Sequence, residues 1–258
     1  MDDLKQRARK LGLKVIVADW NHYASQGWVP DFIAAEENER QRRSSERRVR
    51  EAQIGQFKPM STFDWDWPDK INRDQIEELL TLGFMEEAAN VILVGTNGLG
   101  KTMIAQNLAS NALSRGYSTK FVKASQMLNQ LHNCSNPTAL KTCLKKYSSP
   151  ALLLIDEVGY MSYTNSYADL LYEVISSRYQ NASTVITTNR GFKQWGEIFP
   201  NAACVATMVD RLTHKAEAVL IEGESYRQKE ALERAEAKEK ERLSRKAKTK
   251  QEKGDKKC

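Results

Sequence analysis

One stretch of this sequence decides its fold: Gly95-Thr96-Asn97-Gly98-Leu99-Gly100-Lys101-Thr102. It follows an apolar run with strand character and opens a segment with the apolar spacing of a helix. Glycines let a loop backbone wrap around phosphate oxygens without Cβ clashes, while the loop amides and the helix N-terminus supply partial positive charge. The full G-x-x-x-x-G-K-[ST] pattern between strand and helix predicts a phosphate-binding loop, whose eight residues are expected to hold a nucleotide.

Two side chains of this loop have distinct expected roles. Lys101 is expected to bridge the β- and γ-phosphates of ATP, and Thr102 is expected to hold Mg²⁺ through its hydroxyl. ATP and Mg²⁺ are therefore the predicted cofactors.

A second anionic anchor follows a buried, leucine-rich run at 151–155. Asp156 is placed to hold the metal ion, and Glu157, directly after it, is placed to polarise a water for attack on the γ-phosphate. A P-loop kinase for small metabolites has no use for such a glutamate, so the pair favours ATP hydrolysis. Asn189 follows the next apolar run and is a candidate for orienting that water or contacting the γ-phosphate.

Five short β-branched or leucine-rich runs predict strands: 91–94, 119–122, 151–155, 184–187 and 218–221. Helical segments lie between most of them, and strands separated by helices indicate a parallel sheet covered on both faces. The predicted fold class is therefore α/β, with a parallel five-stranded sheet. Residues 1–58 predict a small N-terminal helical domain for DNA or partner binding, residues 59–228 the nucleotide-binding domain, and residues 229–258 a charged, lysine-rich tail. Charge pairs at i, i+4 predict that the tail begins as a helix, and the lack of apolar residues predicts disorder from about Lys246.

Length and composition bound the class of protein. The 258 residues are 41% hydrophobic and 28% charged, which describes a globular chain of one large or two modest domains. No run approaches the roughly 18 apolar residues of a membrane span, and no apolar leader segment follows the N-terminus. These features predict a cytoplasmic protein with no membrane partner. The four cysteines are scattered without C-x-x-C spacing and are expected to be reduced and structural.

The net charge of +6 comes from the end of the chain, because residues 227–258 hold 13 Lys and Arg against 7 Asp and Glu. A second basic stretch lies near residues 40–50, where six arginines stand against the single acid Glu46. Clustered Lys and Arg release counterions from phosphate backbones, so both segments predict duplex DNA as a partner. The candidate DNA-binding residues are Arg42, Arg43, Arg47 and Arg48, although an arginine-rich helix is often only a solvated face.

Together the motifs resemble those of an AAA+ ATPase of the P-loop NTPase class. More narrowly, the chain is similar to IstB, the helper ATPase of insertion-sequence transposons, whose nearest relatives are the DnaC-type helicase loaders. The residues that narrow the resemblance are Asp156-Glu157-Val158-Gly159-Tyr160, Asp210-Arg211-Leu212 and Gly223-Glu224-Ser225-Tyr226-Arg227. The resemblance covers most of the chain, but such proteins often stop soon after Ser-Tyr-Arg, so the lysine-rich tail is not explained by it.

The resemblance implies two further site residues. Arg211 matches the arginine finger, which acts on ATP held by a neighbouring subunit. Arg227 matches the sensor-2 arginine, which contacts phosphates from the C-terminal side. Both imply a homo-oligomer joined through arginine-finger interfaces, because a trans arginine completes an active site only when subunits stack.

Several functions compete. The resemblance implies an ATP-dependent DNA-binding helper protein that oligomerises on target DNA and recruits or stimulates a DDE transposase encoded by the same element, with ATP hydrolysis regulating assembly. A DnaC-like replicative helicase loader is the alternative, although residues 1–58 match the IstB pattern. A small-metabolite kinase would need a lid with phosphate-binding arginines, and none is evident. A DNA-binding scaffold with a vestigial ATPase is disfavoured because Lys101, Asp156, Glu157 and Arg211 are all present.

Overall fold

The computed structural model describes residues 2–160, 163–199 and 202–254, and the chain divides into two compact units, Met1–Gln53 and Ile54–Cys258. The division lies a few residues before the boundary that the sequence predicts. Gln53 is the C-cap of the helix that ends the first unit and has a left-handed φ of 55°. A left-handed residue at this position commonly ends a helix, which explains why the first unit stops here.

The N-terminal unit is helical, as the sequence predicts. Its helices are α1 (Asp2–Lys10), α2 (Lys14–Ala18), α3 (Trp20–Tyr23) and α4 (Trp28–Ala52). Its small core contains Ala8, Leu11, Ile16, Trp20, Val29 and Ile33. Arg7 on α1 forms an ion pair with Glu37 on α4 at 2.6 Å, so polar contacts join these helices beyond the core.

The second unit alternates helices and strands. Its elements are α5 (Arg73–Leu80), β1 (Asn90–Gly95), α6 (Lys101–Ser114), β2 (Thr119–Lys123), α7 (Ala124–His132), α8 (Pro137–Ser148), β3 (Leu152–Val158), α9 (Asn165–Arg178), β4 (Ser183–Thr188), α10 (Trp195–Ile198), α11 (Ala202–Thr213), β5 (Ala216–Ile221) and α12 (Tyr226–Gly254). Short 3₁₀ helices lie at Met60–Thr62, Gly83–Met85 and Phe192–Gln194. Each predicted apolar run coincides with one of the strands, except that Ala151 lies just before β3.

The five strands form one parallel sheet in the order β2-β3-β4-β1-β5. One apolar cluster covers one face with α7, α8, α9 and α11, and a second covers the other face with α5 and α6. The predicted parallel sheet covered on both faces is therefore confirmed. Because the carboxyl ends of parallel strands share one edge, the loops after β1, β3 and β4 meet there, and these loops carry the predicted site residues.

Arg178, at the end of α9, is a structural residue. Its side chain is 1% exposed, and it donates hydrogen bonds to the backbone carbonyls of Tyr147, Ser148, Pro150 and Ser183. Burial lowers its pKa to about 10. A buried guanidinium that is surrounded by carbonyl acceptors fixes the turns that enter β3 and β4, and so sets the position of both strands.

Helix α12 is longer than the sequence predicts. The expected end near Lys246 is not where the helix stops, since α12 continues to Gly254. The residues in between are mostly lysine, alanine, glutamine and glutamate, which are strong helix formers even without apolar contacts. Residues 255–258 of the predicted disordered segment lie outside the described residues. Within the described ranges, no helix is both long and apolar enough to cross a membrane.

Candidate nucleotide-binding site

The phosphate-binding loop joins β1 to α6, as its pattern predicts. Gly98 and Gly100 have φ values of 85° and 84°, a region that residues with a Cβ rarely adopt. Both also lack space, because a Cβ at Gly98 would overlap the side chain of Ser225 and one at Gly100 would overlap the ring of Phe63. Glycine is therefore required at both positions for conformation and for close packing.

We expect Gly98→Ala to lower both the melting temperature and the affinity for ATP. A left-handed alanine costs about 1 kcal/mol, and the added methyl group must also displace Ser225, which lies against the loop. Gly116→Ala is the matched control, since Gly116 has a φ of 87° but open space where a Cβ would lie. Thermal melting and ATP titration of the two variants make the comparison. Equal losses would show that space at residue 98 is not limiting.

Lys101 is the first residue of α6 and is only 5% exposed. Its ammonium donates a hydrogen bond to the carbonyl of Thr96 at 2.7 Å, across the loop. Burial lowers the pKa of Lys101 to about 8, and the nearby Asp156 carboxylate opposes that effect. A bound phosphate would favour the charged form of this buried ammonium and raise its pKa again, so the position is suited to an anionic ligand.

Thr102 and Asp156 are in direct contact. The hydroxyls of Thr102 and Thr187 donate to the same Asp156 oxygen at 2.9 Å and 2.6 Å. Burial raises the pKa of Asp156, while these two hydrogen bonds lower it. Magnesium is usually held by one or two carboxylates together with nucleotide phosphates. In the described part of the chain, no group of three or more His, Cys, Asp and Glu side chains is arranged to hold a metal ion.

Glu157 lies on an irregular end of β3. The register of β3 against β4 shifts between Ile155 and Val158, and Glu157 has a left-handed φ of 61°. Its backbone N–H donates to the Thr187 hydroxyl at 2.9 Å, which holds the distorted backbone in place. Neighbouring residues of a regular strand point to opposite faces. The irregularity explains how Asp156 and Glu157 both line one cavity.

The carboxylate of Glu157 has a partner that sequence reasoning missed. Lys123, at the end of β2, forms an ion pair with it at 2.9 Å, and this hydrogen bond raises the pKa of Lys123. Nothing in the run Thr119–Lys123 distinguishes this lysine from a solvated one. The contact depends on the sheet order, which places Lys123 opposite Asp156.

Asn189 follows β4 and lies beside Gly159. Its side-chain oxygen is buried and has no hydrogen-bond partner among the described residues. Buried polar atoms without a partner are rare in native proteins, so this atom is available to a water or a ligand. Its role in orienting the attacking water stays a prediction.

A cavity of about 560 Å³ opens beside the phosphate-binding loop. The predicted site residues that line it are Gly98, Leu99, Gly100, Lys101, Thr102, Asp156, Glu157 and Arg227. The lining leaves out five other predicted residues: Gly95, Thr96, Asn97, Asn189 and Arg211. The phosphate, metal and general-base candidates are therefore together, whereas the two candidates on α11 and after β4 are not part of the cavity wall.

The segment 54–68 forms another part of the cavity wall, with Ile54, Phe63 and Trp67 among its residues. Gln106 on α6 donates to the carbonyl of Ile54 at 2.9 Å. The buried Asn107 donates to the carbonyl of Lys58 at 3.0 Å and accepts from the N–H of Met60 at 3.1 Å. These bonds fix an apolar and aromatic surface next to the phosphate site, which suits a nucleotide base. Gln106 and Asn107, which position this segment, belong to no motif of the sequence.

The segment Gly223–Arg227 closes the loop on its outer side. Thr96 donates from its hydroxyl to the carbonyl of Gly223 at 3.3 Å, and the N–H of Tyr226 donates to the carbonyl of Gly98 at 3.1 Å. Arg227 lines the cavity, and its charge adds to the effect of burial in lowering the pKa of Lys101. The first turn of α12 is thus part of the site wall, and contact between Arg227 and phosphate stays a prediction.

Arg211 lies in the last turn of α11, outside the cavity lining. Its guanidinium carbon is 5.0 Å from the ring centroid of Tyr172 and 5.8 Å from that of Tyr179. Tyr172 lies in the middle of α9, and Tyr179 is the residue that follows the helix. Arg211 is therefore not part of the cavity wall of its own chain, and its role as an arginine finger stays a prediction.

The four candidate DNA-binding arginines lie on α4. Arg42 and Arg43 both pair with Glu39, at 2.9 Å and 2.6 Å, and Arg42 also pairs with Glu46. Hydrogen bonds from Arg42 and Arg43 lower the pKa of Glu39 to about 2. The interpretation of the basic stretch counted only Glu46, but helical spacing brings Glu39 within reach as well. Arg48 donates to the hydroxyl of Ser44, so the second pair, Arg47 and Arg48, is less neutralised by carboxylates than the first.

The site fits ATP with Mg²⁺ on its own geometry. The two glycines leave a cradle that a Cβ would fill, Lys101 supplies a buried cation, and Thr102 and Asp156 supply hard oxygen ligands. The comparisons agree with this chemistry, since a family model described as IstB-like ATP binding protein matches residues 3–234. The chain belongs to this IstB-like family.

Relatives of this IstB-like chain are named as ATP-binding proteins of insertion sequences. An ATP-binding protein of insertion sequence IS5376 from Geobacillus stearothermophilus is 34% identical over 199 residues, which are 77% of this chain and 79% of the relative. The corresponding protein of insertion sequence IS21 from Pseudomonas aeruginosa is 34% identical over 198 residues, 77% of this chain and 75% of the relative. The similarity therefore covers most of this chain and most of each relative.

The fold of this IstB-like chain is also found in the solved structures of DnaI and DnaC. DnaI superposes with a TM-score of 0.56 at 17% identity, covering 66% of this chain and 93% of that chain. The DnaC helicase loader superposes with a TM-score of 0.50 at 21% identity, covering 66% of this chain and 97% of that chain. The predicted α/β fold with a parallel five-stranded sheet is confirmed.

Proposed function

We propose that this IstB-like protein is a Mg²⁺-dependent ATPase that oligomerises on duplex DNA and recruits or stimulates the DDE transposase of the same insertion element, with hydrolysis regulating that assembly. One observation carries the proposal: Lys101, Thr102, Asp156 and Glu157 line the same cavity, beside a loop that only glycine can form. A binding module without hydrolysis would not require a carboxylate at residue 157.

Each of these side chains has a separate role in hydrolysis. Lys101 binds phosphate oxygens, and Thr102 and Asp156 would hold Mg²⁺, which when bound neutralises charge on the phosphates. Glu157 accepts a proton from the water that attacks the γ-phosphate. The Lys123 ammonium, at 2.9 Å from the same carboxylate, competes with that water, so hydrolysis requires this ion pair to open.

A shared active site follows from the position of Arg211. Its side chain lies outside the cavity of its own chain, so it contacts phosphate only when a second copy presents its cavity to α11. An arginine supplied by a neighbour couples ATP hydrolysis to assembly, because an isolated subunit lacks the complete site. The assembly state of the protein therefore controls its turnover.

The role in transposition rests on the relatives from insertion sequences, two of which are 34% identical over more than three quarters of this chain. The likeness to DnaI and DnaC supports the shared fold alone. No observation therefore specifically favours the helicase-loader alternative. The direct test is ATP hydrolysis by the purified protein with and without duplex DNA and with its transposase. Hydrolysis that neither DNA nor transposase changes would overturn the proposed regulation.

We expect DNA binding in the presence of ATP to be independent of sequence and steeply dependent on salt. Each lost phosphate contact lowers the slope of log affinity against log salt by about 0.9. Arg47→Gln with Arg48→Gln should flatten the slope more than Arg42→Gln with Arg43→Gln, because glutamates already pair with Arg42 and Arg43. Removal of the basic residues 241–258 should also flatten it and leave DNA-free turnover unchanged. Wild-type slopes in all three variants would show that neither basic segment contacts DNA.

A further inference from the structure

Arg211 is held by aromatic rings. Its guanidinium carbon lies 5.0 Å from the ring centroid of Tyr172 and 5.8 Å from that of Tyr179, both within cation–π range. Among the described residues, Arg211 has no carboxylate partner within 4 Å, although Asp210 directly precedes it. The ring of Tyr179 also contacts His214 edge-on, with centroids 5.7 Å apart. The arginine therefore has a defined position without a carboxylate partner.

The type of partner decides what an arginine can still bind. A carboxylate uses the N–H donors of a guanidinium and cancels its charge. An aromatic face attracts the cation through the ring quadrupole and leaves both the charge and the in-plane N–H donors available. Arg211 is half-buried in the last turn of α11, so its orientation is restricted while one side stays open to a ligand. This combination suits the capture of an anion brought by another molecule.

We propose that Tyr172 and Tyr179 are positioning residues that hold Arg211 in the orientation in which it contacts the phosphates of ATP bound to a second copy of this chain. The inference rests on the proposed function, in which Arg211 acts in trans. Neither tyrosine lines the nucleotide cavity, so both act through the arginine. The sequence carries no signal of this role, because a tyrosine within a helix or just after it is ordinarily a packing residue.

The first test separates positioning from packing by kinetics in the presence of DNA. Tyr172→Leu with Tyr179→Leu should lower kcat about tenfold, since two cation–π contacts are lost, and should leave KM for ATP unchanged. Tyr172→Phe with Tyr179→Phe keeps the rings and should retain the wild-type kcat. Tyr117→Leu, at a tyrosine that is 38% exposed on another loop, is the matched control. The single leucine variants are measured in parallel, in case the double variant does not fold.

The second test asks which subunit is impaired. The double leucine variant is mixed with Lys101→Ala, which has an intact Arg211 but no phosphate-binding lysine. Activity above that of either protein alone is expected, because Lys101→Ala subunits supply a well-placed arginine to the intact cavities of the leucine variant. Three outcomes would each overturn the tyrosine role alone. The first is a rise in KM for ATP, and the second is an equal loss of kcat in the leucine and phenylalanine variants. The third is a double leucine variant that Lys101→Ala does not rescue, although Lys101→Ala does rescue Arg211→Ala. Absence of rescue in both mixtures would overturn the shared site, and the tyrosine role with it.

Discussion

Glu157→Gln should abolish ATP hydrolysis and leave ATP binding intact. The amide has the shape of the carboxylate but cannot accept a proton from the attacking water, and a positioned general base contributes about 10²–10⁴-fold to rate. We therefore expect kcat to fall by about three orders of magnitude. Binding depends on Lys101 and the glycine loop, whose contacts do not involve this side chain.

Phosphate release under saturating ATP measures the first effect, and equilibrium titration with ATP measures the second. Glu230→Gln is the matched control, because Glu230 also lines the cavity but pairs with Lys58. We expect this control to hydrolyse ATP at close to the wild-type rate. Turnover by Glu157→Gln near the wild-type value would exclude Glu157 as the general base.

Arg211→Ala should lower kcat by about 10³-fold or more in the assembled protein, because an arginine finger supplied in trans contributes a factor of this size to kcat. Its affinity for ATP should not change, because the side chain lies outside the cavity of its own chain. Lys101→Ala should instead lose ATP binding, since it removes the buried cation of the loop. Each variant alone is thus inactive for a different reason.

Mixing the two inactive proteins should restore activity. In a random equimolar mixture, about one interface in four joins an intact cavity to an intact arginine, so about a quarter of the wild-type rate is expected. Arg115→Ala, at an exposed arginine after α6, is the control and should need no partner for activity. A mixture that stays inactive while both variants bind one another would refute a site shared between subunits.

The strands and the phosphate site could be predicted because their signals are local. Each strand is a short apolar run, and the loop 95–102 carries a spacing that few other structures require. The sequence also predicted Asp156 and Glu157 from their place after a buried run. What it could not predict is why two consecutive residues share one cavity, since this depends on a register shift against β4 and on a hydrogen bond from Glu157 to Thr187.

Contacts between distant segments were not predictable from patterns. Lys123 reaches Glu157 only because β2 is the neighbour of β3, and strand order is a property of the whole fold. Tyr172 and Tyr179 face Arg211 because α9 packs against α11. The sequence prediction for the arginine-rich stretch on α4 considered only the acid within residues 40–50. In the structure, Arg42 and Arg43 also pair with Glu39 across one helical turn, which lowers the net positive charge of this part of the helix.

The contact of Tyr226 and Ser225 with Gly98 also has a consequence for how the protein is made. The phosphate-binding loop is enclosed by a segment more than a hundred residues further along the chain, and β5, which ends just before that segment, pairs directly with β1. Such pairings of high sequence separation form late in folding. On a ribosome, domains fold as their residues emerge. A nascent chain that already displays the whole loop motif therefore lacks the enclosing segment, and the loop reaches its finished shape only after Tyr226 has emerged.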